Sequence, residues 1–253
     1  MATHFARGTL GDAYRLSTRL SSACHQQARR LPEHRQSRYL ASRALLAELL
    51  FMLYGIGELP DMAVLPGGRP AFVDPTLPQF SIAYAGNIAG VALTTEGDCG
   101  LALALQRTLP GTHPAHLPER YHFTSNEALW INNQNDPYEA RIQLLALRRS
   151  IVKLTGNMES DTQGLQLLPG AGRLRTGNAV HVEAICDAEA VLVWSVAATP
   201  AIERLKVWEH NGQGSWRCLP DTQVRANEPS GRLMRFTSIT AEKMVTLNEY
   251  DQN

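Results

Sequence analysis

The stretch Phe80-Ser81-Ile82-Ala83-Tyr84-Ala85-Gly86-Asn87-Ile88-Ala89-Gly90-Val91-Ala92-Leu93-Thr94-Thr95-Glu96-Gly97-Asp98-Cys99-Gly100-Leu101-Ala102-Leu103-Ala104-Leu105 carries the fold. It holds three apolar, strand-like runs at 80–85, 89–95 and 101–105. Gly86-Asn87 and Glu96-Gly97-Asp98 interrupt them as turn signals, so an antiparallel meander is expected. Upstream, Pro32 and Glu33 suit the first turn of a helix. Leu40, Ala44, Ala47 and Phe51 recur at helical spacing, and Gly55 is a natural stop after Tyr54. The turn-rich Leu65-Pro66-Gly67-Gly68-Arg69-Pro70 links this helix to the meander.

The order then repeats. Asp136-Pro137-Tyr138-Glu139 offers an N-cap acid, proline at the first helical position and glutamate three residues after the cap, and the helix is expected to run to Gly156. Strand-like runs follow at 180–185, 191–197 and 204–208, with Asp187-Ala188-Glu189 between the first two. Thr124-Ser125-Asn126-Glu127 is a further capping box opening a short helix. The expectation is an α+β pseudo-twofold pair of helix-plus-meander halves, residues 1–110 and 111–210, with a cleft where they meet. The polar stretch 211–253 is expected to be an appended tail.

Composition narrows the function classes. The chain has 253 residues, 44% of them hydrophobic and 19% charged, with a formal net charge of +0. A neutral chain lacks the broad field that captures nucleic acid or an anionic membrane, so any basic site must be local. Cys24, Cys99, Cys186 and Cys218 have no paired spacing, which favours reduced thiols over a disulfide framework or zinc ribbon. The start, Met1 to Arg7, has no apolar run after a basic region, and no stretch approaches a membrane span. A cytoplasmic protein is expected. His113-Pro114-Ala115-His116 and His122 lack acidic or thiol partners at metal-binding spacing and read as loop. Gly164, Gly170, Gly172 and Gly177 lack the Lys-Ser or Lys-Thr of a phosphate-cradling loop.

Six segments in order, across roughly residues 35–210, resemble the 4′-phosphopantetheinyl transferases. Arg38-Tyr39-Leu40-Ala41-Ser42-Arg43-Ala44-Leu45-Leu46 is similar to the family's first-helix motif. Gly68-Arg69-Pro70-Ala71-Phe72 is similar to its Gly-Lys-Pro segment, and Phe80 to Gly86 to its Phe-Asn-Leu-Ser-His-Ser-Gly strand and turn. Gly100-Leu101-Ala102-Leu103-Ala104 stands where the family has Gly-x-Asp-x-Glu. Phe123 to Glu127 is similar to Phe-Ser-x-x-Glu, and Leu145 to Gly156 to Trp-x-x-Lys-Glu-Ala-x-x-Lys-x-x-Gly. The resemblance implies transfer of the phosphopantetheine arm of coenzyme A to a serine of an acyl, peptidyl or aryl carrier protein, assisted by magnesium.

The departures fall on the chemistry. Magnesium requires oxygen ligands. Ala102, Ala104 and Arg149 stand at the three carboxylate positions, so no catalytic residue and no magnesium site is expected. Tyr84 replaces a phosphate-contacting histidine, and Leu145 replaces a tryptophan. The retained basic residues imply a metal-free anion site for coenzyme A built from Arg43, Arg69, Tyr84, Arg148, Arg149 and Lys153. The bland alternative is a solvated basic face near a helix C-terminus. Two functions follow: a transferase-like pseudoenzyme that binds coenzyme A, a carrier protein or a partner enzyme, or a working transferase whose acids come from Asp98, Glu96 or Glu127.

Overall fold

A computed structural model of the chain describes residues 2–11, 17–106, 123–155, 164–177, 180–220 and 232–238. The histidine-containing stretch 113–122 and Gly156 lie outside these. Four α-helices are present among the described residues, α1 (Ser22–Arg29), α2 (Glu33–Tyr54), α3 (Ser125–Asn132) and α4 (Pro137–Thr155). Two larger sheets accompany them, so the class is α+β. No helix among the described residues is long and apolar enough to cross a membrane.

The helix ends follow their sequence signals. Pro32 sits at the N-cap of α2, and Gly55, at φ 72°, ends it by donating its N–H to the Phe51 carbonyl at 2.9 Å. Asp136 Oδ1 accepts the N–H groups of Tyr138 and Glu139, each at 3.1 Å, at the start of α4. The capping box at Thr124 and Glu127 forms as expected. Phe51 departs from its expected place in the core: it is 45% exposed, and the Arg19 guanidinium lies 3.5 Å above its ring.

The strands are β1 (Ala2–Thr9), β2 (Met62–Val64), β3 (Pro70–Phe72), β4 (Gln79–Ala85), β5 (Ile88–Thr94), β6 (Cys99–Leu105), β7 (Gln166–Leu168), β8 (Arg173–Arg175), β9 (Glu183–Ala188), β10 (Leu192–Ala198), β11 (Arg204–His210), β12 (Trp216–Cys218) and β13 (Met234–Thr237). Sheet one has the order β12-β11-β1-β5-β4 and sheet two the order β6-β10-β9-β13-β8-β7, while β2 and β3 pair as a small hairpin. The expected meanders therefore stop at hairpins. β6 leaves β5 and pairs antiparallel with β10, Ala102 opposite Ser195. β11 leaves β10 and runs parallel to β1 in sheet one, Val207 opposite Phe5. A strand with apolar side chains on both faces, such as Leu101-Ala102-Leu103, is served better between two layers than beside its own hairpin.

Three apolar clusters define the layers. One lies between α1 and α2 and the outer face of sheet one, another between sheet two and α3 and α4, and the third between the sheets. In the inter-sheet layer Phe5 of β1 meets Trp194 of β10, ring centroids 5.2 Å apart, and both are fully buried.

Three further readings change. β1, over which no strand was expected, is the central strand of sheet one. β9 runs on through Asp187 and Ala188, read as turn, because Asp187 is buried opposite Trp194. The stretch after 211 contributes β12 to sheet one and β13 to sheet two.

Gly100 fixes how α4 sits on β6. A Cβ there would stand 2.0 Å from the Ser150 carbonyl oxygen, so helix backbone packs directly on strand backbone. Gly100→Ala is expected to lower stability by about 1–3 kcal/mol through forced separation of α4 from β6, read by urea denaturation. A loss below about 0.5 kcal/mol would contradict this packing.

Candidate anion-binding site

The basic residues picked out by the sequence divide into three places. Arg69 and Lys153 come together in a pocket of about 330 Å³, lined also by Leu65, Phe80, Ser81 and Asp98. Arg69, immediately before β3, is held by Asp98 at 2.5 Å, and its Nε is buried with no hydrogen-bond partner. Asp98 is fixed in turn from the other sheet. Its N–H donates to Thr199 Oγ1 at 2.9 Å, and its carbonyl accepts the Thr199 N–H at 3.0 Å.

Lys153 reaches from the last turn of α4 to the line where the two sheets abut. Its Nζ donates to the Ile82 carbonyl of β4 and to the Leu101 carbonyl of β6, each at 2.9 Å. These are the edge strands of sheets one and two. Ser81 Oγ accepts the Leu101 N–H at 3.0 Å along the same line. Burial, and then the like charge of Arg149, pull the Lys153 ammonium down from 10.5 to about 8. Arg149 itself is exposed, one turn earlier on α4.

Arg43 and Tyr84 form a second group, on the α2 side of sheet one. Tyr84 Oη donates to Ser42 Oγ at 2.7 Å, and Ser42 Oγ donates to the Tyr39 carbonyl at 3.0 Å. The Arg43 guanidinium stacks 3.4 Å from the Tyr39 ring centroid and donates to the same carbonyl at 3.3 Å. Its Nε is buried without a hydrogen-bond partner. Neither residue lines the 330 Å³ pocket.

Arg148 departs from the expected basic cluster. One position along α4 turns its side chain by about 100° from that of Arg149, and it runs under α3 to the fully buried carboxylate of Glu127 and to the Leu165 carbonyl, 3.0 Å away. A buried ion pair of this kind has its charge already compensated. Glu127 is correspondingly spent on Arg148 and on its capping box, and Glu96 is exposed in its turn. Of the three acids considered as substitutes, Asp98 alone lines the pocket.

Ala102 is 2% exposed and packs in the apolar core between sheet two and α4, with Ala104 partly buried against the same core. Beneath α4, Ser150 Oγ and Ser195 Oγ share a buried hydrogen bond of 2.8 Å.

Sequence reading missed a larger pocket of about 630 Å³ at the far end of the inter-sheet layer, where Ile88, Leu192 and Trp216 meet charged residues. Those charges are mutually paired. Arg7 bonds Glu189 and Glu209, each at 2.6 Å, Arg217 bonds Glu209, and Trp194 Nε1 donates to Glu189 at 2.9 Å. The signal was a lone arginine in an unrecognised strand, with partners some 180–200 positions away.

The described site is thus a small basic pocket at the abutting edges of two sheets in an α+β protein. The chain belongs to the YieE family. It is 59% identical over 249 residues to "Uncharacterized protein YieE" of Escherichia coli (strain K12), covering 98% of this chain and 100% of that protein. The same identity and coverage hold for the YieE protein of Escherichia coli O6:H1 (strain CFT073). No protein-family model matches the chain.

Because the native state holds Lys153 at about 8 and the unfolded chain at 10.5, the folded protein bears the cost of a desolvated ammonium below pH 8. That cost disappears as the pH rises through this window, so the contribution of Lys153 to stability increases with pH. The stability difference between the wild type and Lys153→Met is expected to shift in favour of the wild type by on the order of 3 kcal/mol between pH 8 and 10.5. A pH-independent difference in chemical denaturation would contradict the burial of the ammonium.

Proposed function

We propose that this chain is a phosphopantetheinyl transferase-like protein that binds coenzyme A, or a carrier protein bearing its arm, without magnesium-dependent transfer. The observation that carries the reading is the convergence of Arg69 and Lys153 in one pocket at the sheet edges. Both stand at basic positions of the family's motifs. The exchange of β6 and β11 between the sheets supports a pseudo-twofold relation of the halves 1–110 and 111–210. The close approach of Gly100 to α4 supports the alignment of the segments that carry Ala102 and Arg149.

The residues fit an anion and do not fit a magnesium ion. Arg69 has an unspent Nε–H, and the Lys153 ammonium retains one N–H beyond the two given to carbonyls. Together they would hold one phosphate group, with the exposed Arg149 one helical turn away adding attraction. Arg43 and Tyr84 would serve as a separate polar contact on the α2 side. Ala102 and Ala104 supply no oxygen, and Arg149 brings a positive charge. Bound coenzyme A would supply a pantetheine thiol and a pyrophosphate, while the chain's own residues bind and orient it. Arginine stays protonated and cannot act as a base at Arg149.

Asp98 favours the second reading, a working transferase, because its carboxylate lies in the pocket. Its bond to Arg69 is the counterweight. Mass spectrometry of apo carrier proteins incubated with coenzyme A, magnesium and this protein separates the two. The pseudoenzyme predicts no phosphopantetheine mass gain.

Coenzyme A at about a hundred times its dissociation constant should stabilise the fold by roughly 2.7 kcal/mol. The thermal shift should be equal with magnesium and with EDTA, and absent in Arg69→Ala/Lys153→Met. A shift that requires magnesium, or none at saturating ligand, would overturn metal-free binding.

A further inference from the structure

Lys153 has a geometry that phosphate binding does not call for. The chain has three lysines, Lys153, Lys206 and Lys243, among 24 basic residues. Arginine would offer more donors to an anion and to the two carbonyls, but it does not give up its proton. At 153 the chain keeps the one cation that does.

The hydrogen bonds show what the deprotonated side chain would do. A neutral amine has two N–H groups, and the Ile82 and Leu101 carbonyls at 2.9 Å take two. Loss of the proton therefore costs neither bond and leaves a lone pair at the remaining tetrahedral position of Nζ. Around the amine are apolar Leu65, Phe80 and Leu154, together with Arg69 and its unspent Nε–H. The charged groups facing Lys153 are Arg149 on its own helix, and Arg69 and Asp98 across the pocket. β4 and β6 present backbone carbonyls. Desolvation with a neighbouring cation is the arrangement that makes a lysine nucleophilic near neutral pH, and the lowered pKa of about 8 agrees with it.

We propose that Lys153 is a nucleophilic amine that condenses with small aldehydes carrying an anionic group, Arg69 holding the anion while the carbonyl carbon meets Nζ. The lone pair of Nζ attacks the carbonyl carbon and the C=O π pair moves to oxygen. A proton passes from nitrogen to that oxygen to give the carbinolamine. The nitrogen lone pair then forms C=N as the C–O bond breaks, and the departing hydroxide takes the remaining N–H proton and leaves as water, giving the neutral imine. No oxidant or reductant is consumed.

The test uses the full chain with glyoxylate as the anionic aldehyde and propionaldehyde as the neutral one, trapping the imine with borohydride and mapping adducts by peptide mass spectrometry. With three lysines and one terminal amine the assignment is direct. Glyoxylate at pH 8 is expected to label Lys153 ahead of Lys206 and Lys243, by on the order of a hundredfold relative to an amine at the ordinary value of 10.5, the ratio of the free-amine fractions. Arg149→Gln, by removing a like charge, should slow labelling at pH 7.5. Arg69→Gln should lower the ratio of glyoxylate to propionaldehyde labelling at Lys153, a ratio that a change in the reactivity of the amine itself would not move. Labelling spread evenly over the lysines, or sparing Lys153, would overturn the proposal. Coenzyme A carries no aldehyde, so labelling without a coenzyme A thermal shift would sink the earlier reading and leave this one, and the reverse result would do the opposite.

Discussion

Two open sheets that meet edge to edge face an accounting problem, since each edge strand presents backbone groups that its own sheet does not pair. Here the Lys153 amine bonds the Ile82 and Leu101 carbonyls together, and Ser81 Oγ takes the Leu101 N–H. One side chain from α4 thereby ties the outer strand of sheet one to the outer strand of sheet two. The arrangement works only because Gly100 lets α4 descend onto β6 until Lys153 reaches the seam. Its cost is a cation removed from water, and that cost gives the adjoining pocket both its charge and its sensitivity to pH.

The other end of the inter-sheet layer is closed by a different device. Arg7 lies between Glu189 and Glu209, and Glu189 also accepts the indole N–H of Trp194, whose ring packs on Phe5. Because β1 and β11 belong to sheet one and β10 to sheet two, this network joins the sheets as Lys153 does. The two ends differ in what they leave unspent. The arginine network is internally neutral, whereas the lysine end carries a net positive charge.

Local signals were legible in the sequence because they act within a few residues. Pro32, Gly55, Asp136 and Thr124 marked helix ends that the structure reproduces, and Gly86-Asn87 marked the β4–β5 turn. Partner choice among strands was not legible. Nothing in Gly100 to Leu105 says that β6 will leave its hairpin for β10, since the advantage lies in burying both of its faces between layers. β1 was passed over for the same reason: its reward comes from β5 and β11, distant in sequence. At the site, Arg69 and Lys153 were both named, but adjacency to Arg149 in the sequence placed Arg148 with them. Its true partner, Glu127, lies on another helix. Phe51 satisfied the periodicity and still stands at the surface under Arg19.

The account rests on an amine that is buried at the seam and therefore titrates early. With three lysines in the chain, an NMR pH titration of the lysine side chains, with Lys153→Arg to assign the signal, measures this directly. One lysine titrating near pH 8, and absent from the variant, is the predicted result. All three lysines titrating near 10.5 would mean that Lys153 is hydrated, that the carbonyls of Ile82 and Leu101 are not joined through it, and that the seam is held by something else.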